Sequence, residues 1–259
     1  PILAAPITGS VTNLGGAIDE LEYNRAVVKG CSSRGTLALV GDGATPDKYK
    51  IGLNALNEYD GKGIPIFKPR SDNTEIIKRI KAAEAVGAAA AGMDIDAVVF
   101  KTMALRNQAV APKSKSELTE IISSTNLPFV LKGIMNPRDA AAAVEAGAKG
   151  IIISNHGGRV LDEMPGSIEV LEEIVQAVNG EIDIAIDGGF RSGVSILKAL
   201  ALGAKIVMIG RPIAIAAVGM ADKGVSYYLN HLNDELKKVM ILTGSATLTD
   251  IKDELILRV

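Results

Sequence analysis

Eight short apolar runs, separated by stretches of helical pattern, constrain the fold of this 259-residue chain more than any other feature. Strands buried on both faces read as continuous apolar runs, whereas half-exposed strands alternate. The runs begin at intervals of roughly 20 to 40 residues, the spacing expected of repeated strand–helix units. They are Ile2–Ala5, Thr36–Val40, Ile64–Phe67, Ala88–Met93, Pro128–Leu131, Gly150–Ile153, Asp183–Ile186 and Ile206–Ile209.

The segments between these runs are rich in helix-forming residues and carry helix-start signals. Ser114 is followed by Glu117 at the spacing of a capping box. Asn136 stands before Pro137, so a capping side chain precedes a proline at the first helical position. The predicted helices are Thr74–Val86, Lys115–Ser123, Pro137–Ala146, Ile168–Val178, Gly193–Leu202 and Val225–Leu242.

Two folds contain many alternating strands and helices: the open doubly wound sheet and the closed (β/α)8 barrel. Eight evenly spaced units and the absence of a dinucleotide-binding glycine fingerprint favour the barrel, whose usual size is about 250 residues. We therefore predict that residues 1–259 form one (β/α)8 TIM-barrel domain of the α/β class. The last predicted helix, Val225–Leu242, is expected to pack on the outside of the barrel.

Composition excludes several other classes of protein. The net charge of −2 gives no basic surface for nucleic acid, and no apolar run reaches the roughly 18 residues of a membrane span. A single cysteine, Cys31, excludes an intramolecular disulfide and a cysteine-rich metal site, so we predict a cytoplasmic protein without a metal. Because the chain begins at Pro1 inside an apolar run, we also expect a preceding segment that is missing, cleaved or unobserved.

Polar residues follow the apolar runs at the ends where barrel enzymes place their active sites. The loops after the seventh and eighth strands are the usual phosphate site of this fold. The segment from Asp187 to Arg191 opens a helix, so free backbone N–H groups and the helix N-terminus are expected to face an anion. Gly210 and Arg211 follow the eighth run, and the Arg211 guanidinium would add charged hydrogen-bond donors for the phosphate. A tight turn is the alternative explanation for the paired glycines.

The chain has two histidines, and only His156 follows a predicted strand end. The other, His231, lies in the predicted C-terminal helix, where a surface or packing role is expected. A neutral imidazole suits proton abstraction near neutral pH, and Arg159 offers the paired donors that bind a carboxylate. Together, His156 and Arg159 predict a base beside an anion-binding arginine.

The segment Ser154–Asp162, which reads Ser-Asn-His-Gly-Gly-Arg-Val-Leu-Asp, closely resembles the signature of the FMN-dependent α-hydroxy-acid oxidase and dehydrogenase family. This family includes glycolate oxidase, lactate oxidase and mandelate dehydrogenase. Further matching segments occur in the family's order across most of the chain. They are Ala5-Pro6, Leu131–Gly133, Asp187–Gly193, Lys198–Ala204 and Ile209–Pro212.

The resemblance implies a role for each matching residue. His156 would take a proton from the hydroxy acid while the α-hydrogen leaves for flavin N5, and Asp94 would stabilise the imidazolium that forms. Arg159 would bind the substrate carboxylate, and Lys132 would lie near flavin N1 and the C2 carbonyl, where negative charge accumulates. Alternatively, Asp94 could cap the following segment and Lys132 could be a solvated lysine. The residues implied to hold FMN are Pro6, Ile7, Thr8, Lys68, Lys132, Ser154, Asp187, Gly188, Gly189, Arg191, Gly210 and Arg211.

Several positions depart from the family on the substrate side. Asp42 replaces a usual serine, and Lys68 and Arg70 replace a glutamine and a tyrosine. Lys68 is expected to favour the anionic reduced flavin, and Arg70 is expected to bind the acid. A second substrate arginine has no clear counterpart, although Lys101 and Arg106 are candidates. The family's N-terminal helical segment is absent from the chain as given.

These features predict an FMN-dependent enzyme that oxidises a small L-2-hydroxy acid, such as lactate or glycolate, to the 2-keto acid. The electron acceptor would be oxygen or another compound, and the resemblance implies a homotetramer. Two alternatives stay open: another flavin barrel enzyme, similar to type 2 isopentenyl-diphosphate isomerase, and a flavin-binding barrel without turnover. The pairing of His156 with Arg159 favours the hydroxy-acid oxidoreductase.

Overall fold

The computed structural model describes residues 1–257 and contains a closed barrel of parallel strands in sequence order. The first and last strands pair with each other, with Ile2 opposite Val207, and this pairing rules out the open sheet. The (β/α)8 prediction is therefore confirmed, and each predicted apolar run supplies a strand. The strands are β1 (Ile2–Ala4), β2 (Ala38–Gly41), β3 (Gly63–Phe67), β4 (Ala91–Asp94), β5 (Phe129–Ile134), β6 (Gly150–Ile153), β7 (Asp183–Ile186) and β8 (Ile206–Ile209).

The helices surround the barrel, and their ends follow the predicted caps. Ser114 and Glu117 form the capping box, and the Asn136 side chain accepts a hydrogen bond from the backbone N–H of Asp139. The helices are α1 (Ser10–Leu14), α2 (Glu20–Ser32), α3 (Lys48–Glu58), α4 (Asn73–Ala85), α5 (Lys101–Leu105), α6 (Lys115–Ser123), α7 (Pro137–Glu145), α8 (Leu171–Val178), α9 (Gly193–Ala201) and α10 (Arg211–Leu242). Short 3-10 turns span Ile95–Val99, His156–Gly158, Ser167–Val170, Leu248–Asp250 and Asp253–Leu255.

Helix α10 begins earlier than the sequence pattern predicts and is broken in the middle. The break lies at Met220 and Ala221, where Ala221 has φ 48° and ψ −137°. Its two segments approach closely, since a Cβ on Gly224 would lie 2.1 Å from the Ala216 carbonyl oxygen. The second segment packs on α2 and α9 outside the barrel, as predicted. No helix within residues 1–257 is both long enough and apolar enough to cross a membrane.

Side chains along a strand alternate between the two faces of the sheet, and this alternation decides which polar side chains enter the barrel mouth. Alternate residues face the interior, where a small cluster includes Ile66, Ile152 and Ala185. Two positions further along the same strands, the inward rows continue into buried polar residues. These are Lys68 after Ile66, Ser154 after Ile152 and Asp187 after Ala185, and the same step leads from Gly92 to Asp94 and from Val130 to Lys132.

Candidate active site

A cavity of about 1030 Å³ opens at the C-terminal ends of the strands. Most of the residues predicted to form the site line it, and three do not: Arg70, Asp94 and Ser154 lie buried beneath its surface. The predicted residues that line the cavity are Pro6, Ile7, Thr8, Lys68, Lys132, His156, Arg159, Asp187, Gly188, Gly189, Arg191, Gly210 and Arg211. The predicted residues that meet at this opening come from six of the eight strand ends, and Asp42 and Phe100 line it from the segments after β2 and β4.

Two buried lysines share one aspartate at the base of this cavity. Lys68 Nζ lies 2.7 Å from Asp94 Oδ2, and Lys132 Nζ lies 3.2 Å from Asp94 Oδ1. Lys132 also donates to Ser154 Oγ at 3.0 Å and lies 3.8 Å from the Asp187 carboxylate. Ser154 is fully buried and orients Lys132 rather than facing the cavity.

The opposite charges in this cluster stabilise the ionised forms of Asp94 and Lys132. Burial by itself would raise the pKa of Asp94, but the positive charges of Lys132 and Lys68 outweigh it and hold that pKa well below its usual range. Burial would likewise lower the pKa of Lys132, yet the carboxylates of Asp94, Asp187 and Asp96 raise it. Asp94 and Lys132 are therefore both charged at neutral pH.

The carboxylate closest to His156 belongs to Asp96 rather than to the predicted Asp94. His156 Nδ1 lies 3.0 Å from both Asp96 oxygens and 3.8 Å from Asp94 Oδ1. Asp96 sits in the 3-10 turn after β4, and Gly133 leaves space for it, since a Cβ there would lie 2.6 Å from Asp96 Cγ. With Nδ1–H directed at the carboxylate, the lone pair of His156 is on Nε2.

The loop around His156 is held by Ser154, which lies directly after β6 and two residues before His156. The His156 backbone N–H donates to Ser154 Oγ at 3.1 Å, and the residue adopts the left-handed region with φ 56°. Such a conformation is costly for a non-glycine residue and persists only where the surroundings enforce it. Gly157 follows at φ 69°, and a Cβ there would lie 3.6 Å from Arg211 Nη2. The His156 turn thus lies beside Arg211, with room for no more than an ordinary contact between them.

Phe100, in the loop after β4, contacts three of the charged or basic groups of the site. Its ring meets His156 edge to face with centroids 4.6 Å apart. Lys68 Nζ lies 5.0 Å and Arg159 Cζ 5.4 Å from the Phe100 centroid, both at cation–π distance. No sequence motif identifies this residue, because its role depends on how the loop folds back over the barrel.

The prediction that Arg70 binds the substrate is wrong in this structure. Arg70 is 5% exposed and does not line the cavity. Its Nη2 lies 3.3 Å from each oxygen of Asp42 and donates to the Gly43 carbonyl oxygen at 2.8 Å, while Nη1 donates to Gln108. The physical reason is the buried Asp42 carboxylate, which attracts Arg70 and also lies 3.8 Å from Arg79.

A cradle of backbone N–H groups forms where a phosphate was predicted. Gly188 and Gly189 both have positive φ, of 104° and 83°, and within residues 1–257 their N–H groups donate to no protein acceptor. At the start of α9 the Gly193 N–H is already occupied, because it donates to Glu235 at 2.9 Å. The helix N-terminus beside the cradle is that of α10, which begins at Arg211.

Comparison with known proteins identifies the family. Residues 100–258 match the family model described as FMN-dependent dehydrogenase. The chain belongs to the FMN-dependent dehydrogenase family. The predicted oxidoreductase class and the predicted cofactor FMN are thereby confirmed for the family of this chain. The resemblance drawn from the segment around His156 is confirmed as well.

Two curated proteins and one solved structure illustrate what the chain is similar to. The 2-hydroxyacid oxidase 2 of Mus musculus is 46% identical over 148 residues, which cover 56% of this chain and 42% of the relative. The L-lactate oxidase of a Roseobacter species is 41% identical over 163 residues, covering 63% and 43% respectively. A crystal structure assigned as a lactate oxidase of Pediococcus acidilactici is 31% identical with a TM-score of 0.81, covering 97% of this chain and 74% of that one. The matches span about two fifths of the length of these two curated relatives.

The cavity fits the FMN of this family. Its volume of about 1030 Å³ lies at the upper end of the range for small-molecule and cofactor pockets. The free N–H groups of Gly188 and Gly189, together with Arg211, suit a phosphate. The buried ammonium of Lys132 supplies positive charge at the base of the cavity. The chain therefore has donors that suit the phosphate of FMN, and it has a cation that suits a ring system gaining negative charge.

Two further features of the site were missed by the sequence analysis. Glu20 accepts hydrogen bonds from the N–H groups of Gly9, at 2.9 Å, and Ser10, at 2.6 Å, and lies 3.1 Å from Lys48. It thereby fixes the loop after β1 that carries Pro6 to Thr8. Asp96 was visible as the second acid of the Asp94-Ile95-Asp96 segment, but the resemblance directed attention to the first.

Ligand atoms of Asp94, Asp96 and His156 lie within 4.8 Å of one another, close enough to suit a metal ion by distance. However, the ammonium groups of Lys68 and Lys132 already lie within 3.2 Å of Asp94. Their positive charges balance the carboxylates and oppose a cation. We therefore assign these groups to ion pairing within the FMN site.

Proposed function

We propose that the chain binds FMN in this cavity and oxidises a small L-2-hydroxy acid to the 2-keto acid. The observation that carries the proposal is the His156 ring, whose Nδ1 lies 3.0 Å from Asp96 and which shares the cavity wall with Arg159. A base with its lone pair facing the cavity, beside a cation for a carboxylate, suits an acid whose hydroxyl is on the neighbouring carbon. The family and the names of its hydroxy-acid oxidase members support this assignment.

The residues divide the chemistry as follows. Arg159 binds the substrate carboxylate, and His156 Nε2 takes the hydroxyl proton as the C=O bond forms. When bound, FMN supplies the two-electron acceptor for the α-hydrogen. The negative charge of Asp96 stabilises the imidazolium and fixes its orientation, and Asp94 adds a weaker contribution at 3.8 Å. Lys132, held charged in the barrel, offsets negative charge that accumulates nearby, and Lys68 adds a second cation.

The residues proposed to hold FMN follow from the two ends of the cavity. Gly188, Gly189, Gly210 and Arg211 form the phosphate end, with Arg191 at its outer edge. The backbone of Pro6 to Thr8 is proposed to support the ring system. Asp187 keeps its proposed place in the cavity wall, and Ser154 contributes through Lys132 and the His156 turn.

The test is anaerobic mixing of the FMN-loaded protein with lactate and with glycolate, followed through loss of the visible flavin absorbance. The wild type is expected to bleach, and His156→Ala to bleach about 10²- to 10⁴-fold more slowly, the usual range for loss of a general base. His231→Ala is the matched control, because that side chain is 52% exposed and lies on α10. Equal rates in His156→Ala and wild type would contradict the proposed base.

The same experiment separates the alternatives. A protein that takes up no FMN would contradict the cofactor site, and one that binds FMN without bleaching would support a barrel without hydroxy-acid turnover. The identity of the electron acceptor, the homotetramer, the cytoplasmic location and the single-domain assignment stay predictions from the sequence.

A further inference from the structure

We infer that Phe100 sets an upper limit on the size of the acid's side chain, so that the site accepts hydroxy acids with hydrogen or a short alkyl group on the α-carbon. This inference rests on the proposed function. Phe100 is an uncharged residue that no sequence motif identifies. Phe100 would act on substrate specificity, by contact, rather than on proton transfer.

The Phe100 ring lies beside both residues that would hold the acid. A 2-hydroxy acid with its carboxylate on Arg159 and its hydroxyl at His156 has its α-carbon between these two residues. The Phe100 ring contacts both, at 5.4 Å from Arg159 Cζ and 4.6 Å between the centroids of Phe100 and His156. It also lines the same cavity as they do. The remaining substituent on the α-carbon therefore shares its space with the ring.

The loop that carries Phe100 is tethered at both ends. On one side, Asp96 is bound to His156 and packs on Gly133. On the other, the loop pairs with the segment after β3: Ser71 N–H donates to the Ala109 carbonyl oxygen and Ala111 N–H to the Pro69 carbonyl oxygen, each at 3.0 Å. A ring on a tethered loop cannot move aside freely, so a bulky substituent would meet it.

Two cationic side chains lie close to the Phe100 ring. Lys68 and Arg159 both lie near the ring at cation–π distance, so displacing Phe100 would remove a favourable contact from two positive charges. Movement of the ring to admit a larger acid therefore carries a cost beyond its packing. The selectivity arises from the wall of the site and leaves the proton-transfer groups unchanged.

The test compares Phe100→Ala and Phe100→Trp with wild type in the FMN-loaded protein. The first readout is flavin reduction by glycolate, lactate, 2-hydroxybutyrate and mandelate. In the wild type, kcat/KM for lactate should exceed kcat/KM for mandelate by about 100-fold or more. Phe100→Ala should lower this ratio of kcat/KM values by about tenfold or more. Phe100→Trp should change selectivity in the opposite direction, lowering kcat/KM for 2-hydroxybutyrate relative to glycolate. Val99→Ala is the matched control, since Val99 is adjacent, 58% exposed and outside the lining of this cavity.

The second readout requires no turnover. The dissociation constants of pyruvate and benzoylformate for the oxidised protein are measured from the change in flavin absorbance. The ratio of the benzoylformate constant to the pyruvate constant should exceed one in the wild type and fall toward one in Phe100→Ala. If Phe100→Ala keeps the wild-type ratio of dissociation constants, the inference is overturned. If no hydroxy acid reduces the flavin but the ratio still shifts, the proposed reaction fails while the size limit stands.

Discussion

Replacing Arg70 by methionine distinguishes a structural role from a substrate-binding role for this arginine. Methionine retains an unbranched, flexible side chain but removes the guanidinium that lies 3.3 Å from both oxygens of Asp42. At that distance, with an effective dielectric constant of about 20, the attraction between the two charges is about 5 kcal/mol before the cost of desolvation. Removing one partner of a buried pair usually costs about 3 to 5 kcal/mol.

The structure places the expected loss at the lower end of that range. Asp42 keeps Arg79 at 3.8 Å and still accepts backbone hydrogen bonds from Gly43, at 2.7 Å, and Lys68, at 3.2 Å. We therefore expect Arg70→Met to lower the free energy of unfolding by about 3 kcal/mol. For a chain of this size, that corresponds to a fall in Tm of about 6 to 12 °C.

The assay is thermal unfolding at fixed, saturating FMN, because bound ligand shifts apparent stability. Steady-state kinetics with lactate are measured on the same samples. Arg25→Met is the matched control, since Arg25 forms an exposed ion pair with Glu58, and its Tm should stay close to that of the wild type. Arg70→Met should leave KM for lactate nearly unchanged. A wild-type Tm combined with a KM raised about tenfold would refute the structural role and restore the role predicted from the sequence.

Two further predictions concern the buried charges and the close packing of the helices. The depressed pKa of Asp94 contributes stability above the unfolded carboxyl pKa of about 3.9 and loses it as pH falls through the folded value. Asp94→Asn should therefore show a shallower loss of stability between about pH 5 and pH 2 in urea titrations, whereas the exposed Asp60→Asn should follow the wild-type slope. Gly193→Ala should lower the free energy of unfolding by about 1 to 3 kcal/mol, because its Cβ would lie 2.3 Å from the Leu236 backbone nitrogen. Gly219→Ala, with nothing within 4 Å of the added Cβ, is the control, and a Gly193→Ala variant as stable as the control would contradict the close helix contact.

The two aspartates after β4 show where prediction from the sequence reached its limit. Asp94 and Asp96 differ by two positions, and both were visible at the end of a predicted strand. Which of them meets His156 depends on the 3-10 turn that follows β4 and on the space left by Gly133 in the neighbouring strand. Neither feature can be obtained from the spacing of residues along one strand.

Arg70 and Phe100 illustrate the same limit for the pocket wall. Alignment with the family placed Arg70 at a substrate position, but a single buried carboxylate, Asp42, determines where its charge goes. Phe100 acquires its place because the loop after β4 is tethered to the segment after β3. Long-range contacts decide both positions.

The sequence by itself determined the barrel, the strand ends and the segment from Ser154 to Arg159. Apolar runs of fixed spacing favour one closed sheet, and strand period alone directs Lys68, Asp94 and Lys132 to its mouth. Only the tertiary structure decided the partners of these side chains. Each charged group pairs with the nearest opposite charge, which comes from a different strand. The two groups are near each other only once the barrel has closed.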